Sequence, residues 1–404
     1  FRFSNLMARV HRVIEKIEPH DSVERYSELG VDCRQGEARM VSPWEVEIRN
    51  GDNIETLTAR SIIIATGARP FVPPIPGIED MDILTSDNLW ELQDQPKRLV
   101  VLGGGPIGCE LAQTFARLGS QVMQVEMLPR IMPREDDDAA ALVTASLRDN
   151  GVDVLTEHKA VRFAREGDDK VLYVEHNGEE KRLVFDAVLV AGGRRANTDG
   201  LGLDELNLPT NGNGTVTVNE RLQSRYPNIY ACGDVAGPYQ FTHTAAHQAW
   251  YASVNALFGS LKSFAVDYRV IPWCTFTDPE VARVGLNEQE AEEQGVDYEV
   301  TRYGIDDLDR AIADSNDHGF VKVITARGSD KILGVTIVGA GAGDLIAEYV
   351  LAMKHGLGLN KILGTIHIYP TMAEANKFAA GEWKKAHKPE GVLRWVERFH
   401  NWRR

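Results

Sequence analysis

The chain has 404 residues, enough for two or three domains, with 43% hydrophobic and 25% charged residues, a globular balance that excludes a disordered or fibrous protein. Lys and Arg number 44 against 59 Asp and Glu, a net charge of −15, so no broad basic footprint exists and nucleic acid is excluded as the main partner. No run approaches the roughly 18–20 apolar residues of a membrane span, and no charged leader with an apolar core opens the sequence; a soluble, cytoplasmic chain is expected. Cys33, Cys109, Cys232 and Cys274 form no C-x-x-C or C-x-x-x-x-C pair, so neither a zinc knuckle nor a local redox pair is expected, and no metal site.

In chain order, Leu6, Val10, Val13 and Ile17 at helical spacing predict a short amphipathic helix over 6–17. Short alternating strands follow, such as 44–48 before the turn Asn50-Gly51. The apolar run 61–65 ends in Thr66-Gly67-Ala68-Arg69-Pro70 and predicts a strand buried on both faces, as in a parallel sheet. From 99 to 195 strands and helices alternate: strand 99–102, helix 106–118, strand 121–125, helix 136–150 and the closing run 187–194. That is the pattern of a doubly wound α/β domain. Asp136, Asp137 and Asp138 open the second helix, where negative charge suits the N-terminus. The closing segments SIIIATGARP (61–70) and AVLVAGGRRAN (187–197) look alike, as the ends of two related nucleotide-binding units, one inserted in the other. The second unit is complete, whereas no glycine-rich turn precedes Gly67. From about Tyr268 onward, mixed strands and helices predict an α+β domain.

The strand at 99–102 runs into Gly103-Gly104-Gly105-Pro106-Ile107-Gly108 and then a helix. Gly103 allows the tight turn, Gly105 lets backbone approach a pyrophosphate, and Gly108 permits close helix–strand packing. The helix N-terminus offers N–H groups to the anion. Glu126, 23 residues after Gly103, ends the second strand where a carboxylate would bind a ribose diol. A tight turn without ligand is the alternative. A second glycine-rich turn, 338–343, has no acid-ended strand after it and reads as packing.

These features resemble the flavin-dependent pyridine nucleotide–disulfide oxidoreductases, the group that holds dihydrolipoamide dehydrogenase, glutathione reductase and mercuric reductase. The resemblance spans about 60–385 and rests on ATGARP at 65–70, GGGPIGCE at 103–110, VAGGRRANT at 190–198, NIYACGDVAG at 228–237, FTDPEVARVGL at 276–286 and YPTMAE at 369–374. It implies two Rossmann-like domains, an incomplete FAD domain with an NAD domain inserted, plus an α+β dimerisation domain. The implied segments are 1–72 and 196–268 for FAD, 73–195 for NAD(H), and 269–404 for the interface of a homodimer. By the same resemblance the loop Gly103 to Gly108 with Glu110 and Glu126 holds NAD(H), and Gly193 lies on its nicotinamide side. Thr66 and Gly67 form a flavin-side turn, Gly233-Asp234 binds the ribityl chain, and Gln240, Phe241, Thr242 and His243 surround the ring. Helix capping is the alternative for Asp234.

The family's acid–base motif reads His-Pro-Thr-x-x-Glu; this chain has Tyr369-Pro370-Thr371-Met372-Ala373-Glu374, with His367 two residues earlier. Tyr369, Glu374 and His367 are the implied catalytic residues. A phenol is a poor base at neutral pH but can donate a proton or a hydrogen bond. Mercuric reductases also carry Tyr near this place, with a cysteine pair in the C-terminal tail; the segment 388–404 has no Cys. The expected function is electron transfer from NADH through FAD to a disulfide, metal-ion or other small-molecule acceptor. Alternatives are a diaphorase or transhydrogenase without redox disulfide, and a non-catalytic NAD-binding, dimerising fragment. NADH is preferred to NADPH, because Glu126 repels a 2′-phosphate and only Arg130 nearby is cationic. The family's flavin-phosphate loop and Cys-x-x-x-x-Cys are not among these residues, so the chain by itself is expected to hold FAD weakly and to be inactive as a disulfide reductase. The basic, Trp-containing segment 391–404 is expected to pack on the dimer, with membrane contact the less favoured reading.

Overall fold

Apolar runs without polar alternation pair into a parallel sheet buried on both faces. Ile83–Leu84, Ala187–Val190, Arg98–Leu102 and Gln121–Val125 lie side by side in that order, every pairing parallel. Leu99, Val100 and Val101 are wholly buried in it. The antiparallel strands Lys159–Glu166, Asp169–His176 and Glu179–Phe185 add Phe163, Leu172, Val174 and Phe185 to the core that holds Val100, Leu102 and Val188.

The structure is a computed structural model that describes residues 2–404; Phe1, the first residue of the expected segment 1–72, lies outside the described residues. Two compact units divide the chain. The first takes residues to Gly108, Phe115–Pro129 and Leu155–Tyr268; the second takes Cys109–Thr114, Arg130–Val154 and Arg269–Arg404.

In the first unit the two similar closing segments meet. Ala68–Pro70 pairs antiparallel with Arg194–Ala196, in the register Arg194 to Pro70 and Ala196 to Ala68. Upstream of it, Ile62–Ile64 pairs parallel with Ile229–Ala231. Burial on both faces is corrected at this strand. Successive side chains point to opposite faces; Ile64 is 5% exposed and packs with Ile229 and Ala231, but Ile63 is 37% exposed. The face that carries Ile63 is therefore only partly covered among the described residues. The helix predicted over 6–17 spans Phe3–Ile17, yet only Met7 is buried, and Val13 and Ile17 of the expected apolar face stay exposed.

The second unit is built on an antiparallel sheet ordered Pro272–Thr275, Glu280–Gly285, Ile332–Gly339, Phe320–Ala326 and Tyr298–Gly304. Val284, Val321, Val323 and Val335 pack with Tyr349 from the helix Ala342–Lys354 and Ala379 and Trp383 from the helix Glu374–Ala386. This is the expected α+β arrangement. Asp136, Asp137 and Asp138 stand at the start of the helix Asp137–Asp149, as predicted. Asp136 makes no side-chain cap there; its oxygens accept the Glu288 and Gln289 N–H groups, both at 3.3 Å. The reason is charge: buried Lys322 pairs with Asp136 at 2.8 Å and with Asp138 and Glu288 at 2.7 Å each, so the carboxylate turns toward the cation. The helix Glu390–Arg403 buries none of its residues, with Trp395 and Trp402 exposed.

Candidate active site

The glycine turn is shaped by what a side chain would strike. Gly103 has φ +118°, and a Cβ there would lie 2.5 Å from the Ala191 carbonyl oxygen. A Cβ on Gly108 would lie 2.2 Å from the Gly103 oxygen, which is the close packing required of the last glycine. Gly105, in contrast, meets nothing within 4 Å, leaving open space where a phosphate group can approach backbone. Pro106 opens the helix Pro106–Arg117, with Ile107 half-buried behind it. Glu126 is buried; its Oε2 accepts the Gly104 N–H at 2.6 Å and its Oε1 accepts the Leu128 N–H at 2.8 Å. Each oxygen keeps a further lone pair, so this pair of acceptors fits the two hydroxyl donors of a ribose diol. Loop and acid are thus brought together in the first unit.

Within the second unit, Glu110 accepts the Phe276 N–H at 2.8 Å. Burial pushes its carboxyl up, and that hydrogen bond partly opposes the rise. Arg130 engages Asp137, the Pro133 carbonyl at 3.1 Å and Gln289 at 2.8 Å.

On the expected flavin side, Gly67 and Gly193 flank the ladder of Ala68–Pro70 and Arg194–Ala196 at its two ends. Both have positive φ, +67° and +129°, with open space where a Cβ would be. Thr66 Oγ1 donates to the Asn197 carbonyl at 2.7 Å. Arg194 binds this ladder to Asp234: its Nε donates to Asp234 Oδ2 at 3.2 Å and a terminal nitrogen donates to the Ala68 carbonyl at 2.8 Å. Asp234 therefore answers a cation rather than capping a helix. Buried Gln248 fixes the neighbouring Gly233 by accepting its N–H at 2.6 Å, and donates to the Gly237 carbonyl and the Tyr268 hydroxyl at 2.9 and 2.8 Å. Tyr239 stacks on Phe241 at 6.1 Å and Phe241 on His243 at 5.3 Å, with half-buried Gln240 and exposed Thr242 between them in sequence. The open glycines, the acceptor at Asp234 and the aromatic run fit a ribityl chain and a flat ring.

The acid–base segment lies in the second unit, and its three expected members do not converge. His367 is turned inward: Nε2 contacts Glu348 Oε1 at 3.0 Å, and Nδ1 lies 3.1 Å from the Thr365 carbonyl. Glu374, buried at the start of its helix, accepts the Thr371 N–H at 3.3 Å. Tyr369 is 67% exposed, and its hydroxyl donates to Asp309 Oδ2 at 2.9 Å. That carboxylate, by hydrogen bond and charge, raises the phenol above its usual range, with burial and Glu374 adding to the effect.

The glycine-rich turn at 338–343 is a packing turn. Glu280 Oε2 accepts the Gly343 N–H at 2.9 Å in the first turn of Ala342–Lys354, so a carboxylate already sits where a phosphate would. Cys274 beside it is pushed up to about 12 by burial and by Glu280, Glu110 and Asp344, an inert thiol. Cys109 and Cys232 are buried. Among the described residues no group of three or more His, Cys, Asp or Glu could hold a metal ion, and no helix is long and apolar enough to cross a membrane. Sequence reasoning missed Arg194, Gln248, Asp309 and Glu280 as parts of these sites. Only Arg194 left a signal, since both closing segments run from a buried strand through a Gly to an Arg, Gly67 to Arg69 and Gly193 to Arg194.

The pyridine nucleotide-disulphide oxidoreductase family matches residues 4–249, and the dimerisation domain of the same group matches 271–380. A mercuric reductase from Staphylococcus aureus is 35% identical over 368 residues, 91% of this chain and 66% of that protein. A dihydrolipoyl dehydrogenase from Thermus scotoductus is 37% identical over 354 residues, 87% of this chain and 75% of that protein. The HOCl-induced flavoprotein disulfide reductase RclA from Escherichia coli superimposes with a TM-score of 0.85 at 28% identity, covering 94% of this chain and 86% of that one.

Proposed function

The chain belongs to the pyridine nucleotide-disulphide oxidoreductase family, and from that premise we propose that it passes electrons from NADH through FAD to a disulfide or metal-ion acceptor, as a cytoplasmic homodimer. The observation that carries the reading is the joined pair of glycine turn and Glu126: Gly105 leaves open space at the turn while the Gly104 amide holds the acid at 2.6 Å. Gly103 to Gly108 and Glu126 would hold the nicotinamide nucleotide. The acceptor oxygens of Glu126 suit two ribose hydroxyls, and its charge would repel a 2′-phosphate. NADH therefore suits the site better than NADPH.

Thr66, Gly67, Gly193, Asp234 and 240–243 would hold the ribityl chain and ring of FAD. Bound flavin supplies the two-electron relay between nicotinamide and acceptor. The chain's own part is to position: Asp234 accepts from a hydroxyl, Arg194 orients Asp234, and the aromatic run excludes water from one side of the ring. Tyr369 and Glu374 would serve the partner's flavin across the dimer, since the dimerisation domain supplies both. Transfer straight from flavin to an acceptor, without a dithiol step, is the second reading, favoured by the absence of a histidine at Tyr369.

The test is an anaerobic titration of the flavin-loaded protein with NADH and NADPH, followed by turnover with a disulfide and with a divalent metal ion. Bleaching of the flavin band by NADH at lower concentration than by NADPH is expected. A band that neither nucleotide bleaches would overturn the reading.

A further inference from the structure

Tyr369 stands where the family resemblance expects a histidine, and its surroundings differ accordingly. Glu374, the expected partner of that histidine, is occupied by its own turn, accepting the Thr371 N–H at 3.3 Å. Thr371 Oγ1 donates to the Ile368 carbonyl at 2.6 Å, and His367 is anchored on Glu348 at 3.0 Å, so the backbone on both sides of Tyr369 is held. What remains free to turn is the exposed phenol. It is met by Asp309, which lies 60 residues earlier and opens the short helix Asp309–Ala313. The neighbouring cation, Arg310, is drawn away to Asp314 at 2.6 Å.

We propose that Asp309 is the positioning residue of Tyr369: by accepting the phenol hydrogen bond it fixes the ring and presents the oxygen lone pairs, not the O–H, to an incoming acceptor. A neutral phenol has one donor; once that donor faces Asp309, the group offered outward is an acceptor of hydrogen bonds or a ligand atom. This differs from a histidine–glutamate pair, whose outward nitrogen exchanges protons. The charged groups acting on the phenol are Asp309 and Glu374, both anionic, and both favour the neutral form. The inference deepens the oxidoreductase reading, on which only the turnover arm of its test rests.

The experiment labels tyrosines with carbon-13 at Cζ in the wild type, Asp309→Asn, Asp309→Ala and Asp309→Glu, with Tyr369→Phe to assign the resonance. Without the carboxylate, the Tyr369 resonance is expected to titrate at lower pH in the Asn and Ala variants, and the Glu variant to move it back toward wild type. In the flavin-loaded enzyme, the alkaline limb of kcat/KM for acceptor reduction should shift to lower pH in Asp309→Asn. An unmoved resonance midpoint, or an unmoved alkaline limb in an active enzyme, overturns the proposal. If the wild type reduces no acceptor at any pH while the midpoint still moves, the oxidoreductase reading falls and the Asp309 assignment stands.

Discussion

Gly104 donates its backbone N–H to Glu126 Oε2 at 2.6 Å, joining the glycine turn to an acid 22 residues further on, in the candidate nucleotide site. The bond fixes the acid's rotamer before any ligand arrives, so less ordering is left to the binding step.

Glu126→Gln should therefore weaken NADH more than it weakens NADPH. A hydrogen bond to a charged group is worth about 1.5–3 kcal/mol, roughly ten- to a hundredfold in affinity. The amide would also oppose the Gly104 N–H with a donor of its own in one of its orientations. Binding titrations of both nucleotides check this; a wild type that binds NADPH tighter than NADH refutes the premise.

The glycines should separate folding from binding. Gly105→Ala places its methyl in open space, so the protein should keep its melting temperature and lose nucleotide affinity. Gly108→Ala puts a Cβ 2.2 Å from backbone oxygen, so the turn must shift and stability should fall by about 1–3 kcal/mol, the range of an overpacked site. Thermal melts beside NADH titrations read both effects.

Lys322→Met should be severely destabilising. It removes the single cation that three carboxylates share within 2.8 Å and leaves Asp136 buried without it. Breaking such a cluster from one side costs about 3–5 kcal/mol, measurable by urea denaturation.

Cys274 should resist iodoacetamide in the folded protein at pH 8, because its thiol is pushed up to about 12. The same shift makes stability depend on pH. The folded thiol holds its proton longer than the unfolded one, so its contribution is complete below 9.0 and is lost as the pH climbs from there toward about 12. Cys274→Ser should flatten the stability decline over that interval. Peptide mapping of alkylated protein and denaturant curves at several pH values are the measurements.

Local patterns in the sequence carried the parallel sheet, the glycine turn, Glu126 and the α+β region, because each depends on neighbours within about 25 residues: apolar runs, turn glycines, an acid ending a strand. Asp309 and Tyr369 are 60 residues apart, and Glu280 and Gly343 are 63, so no spacing rule connects either pair. The three acids at the helix start were legible, but their pairing was not: Lys322, nearly 200 residues later, binds both Asp136 and Asp138. Ile63 shows the converse limit, since a run of isoleucines reads the same whether or not its second face is packed.

The partly wetted side of Ile62–Ile64 has a consequence for copies of this chain in solution. A short strand with one neighbour among the described residues and an isoleucine 37% exposed is a template for cross-chain pairing. A single Ile63→Lys change, which places a charge on that side and leaves the packed Ile64 untouched, should lower concentration-dependent self-association, read by light scattering.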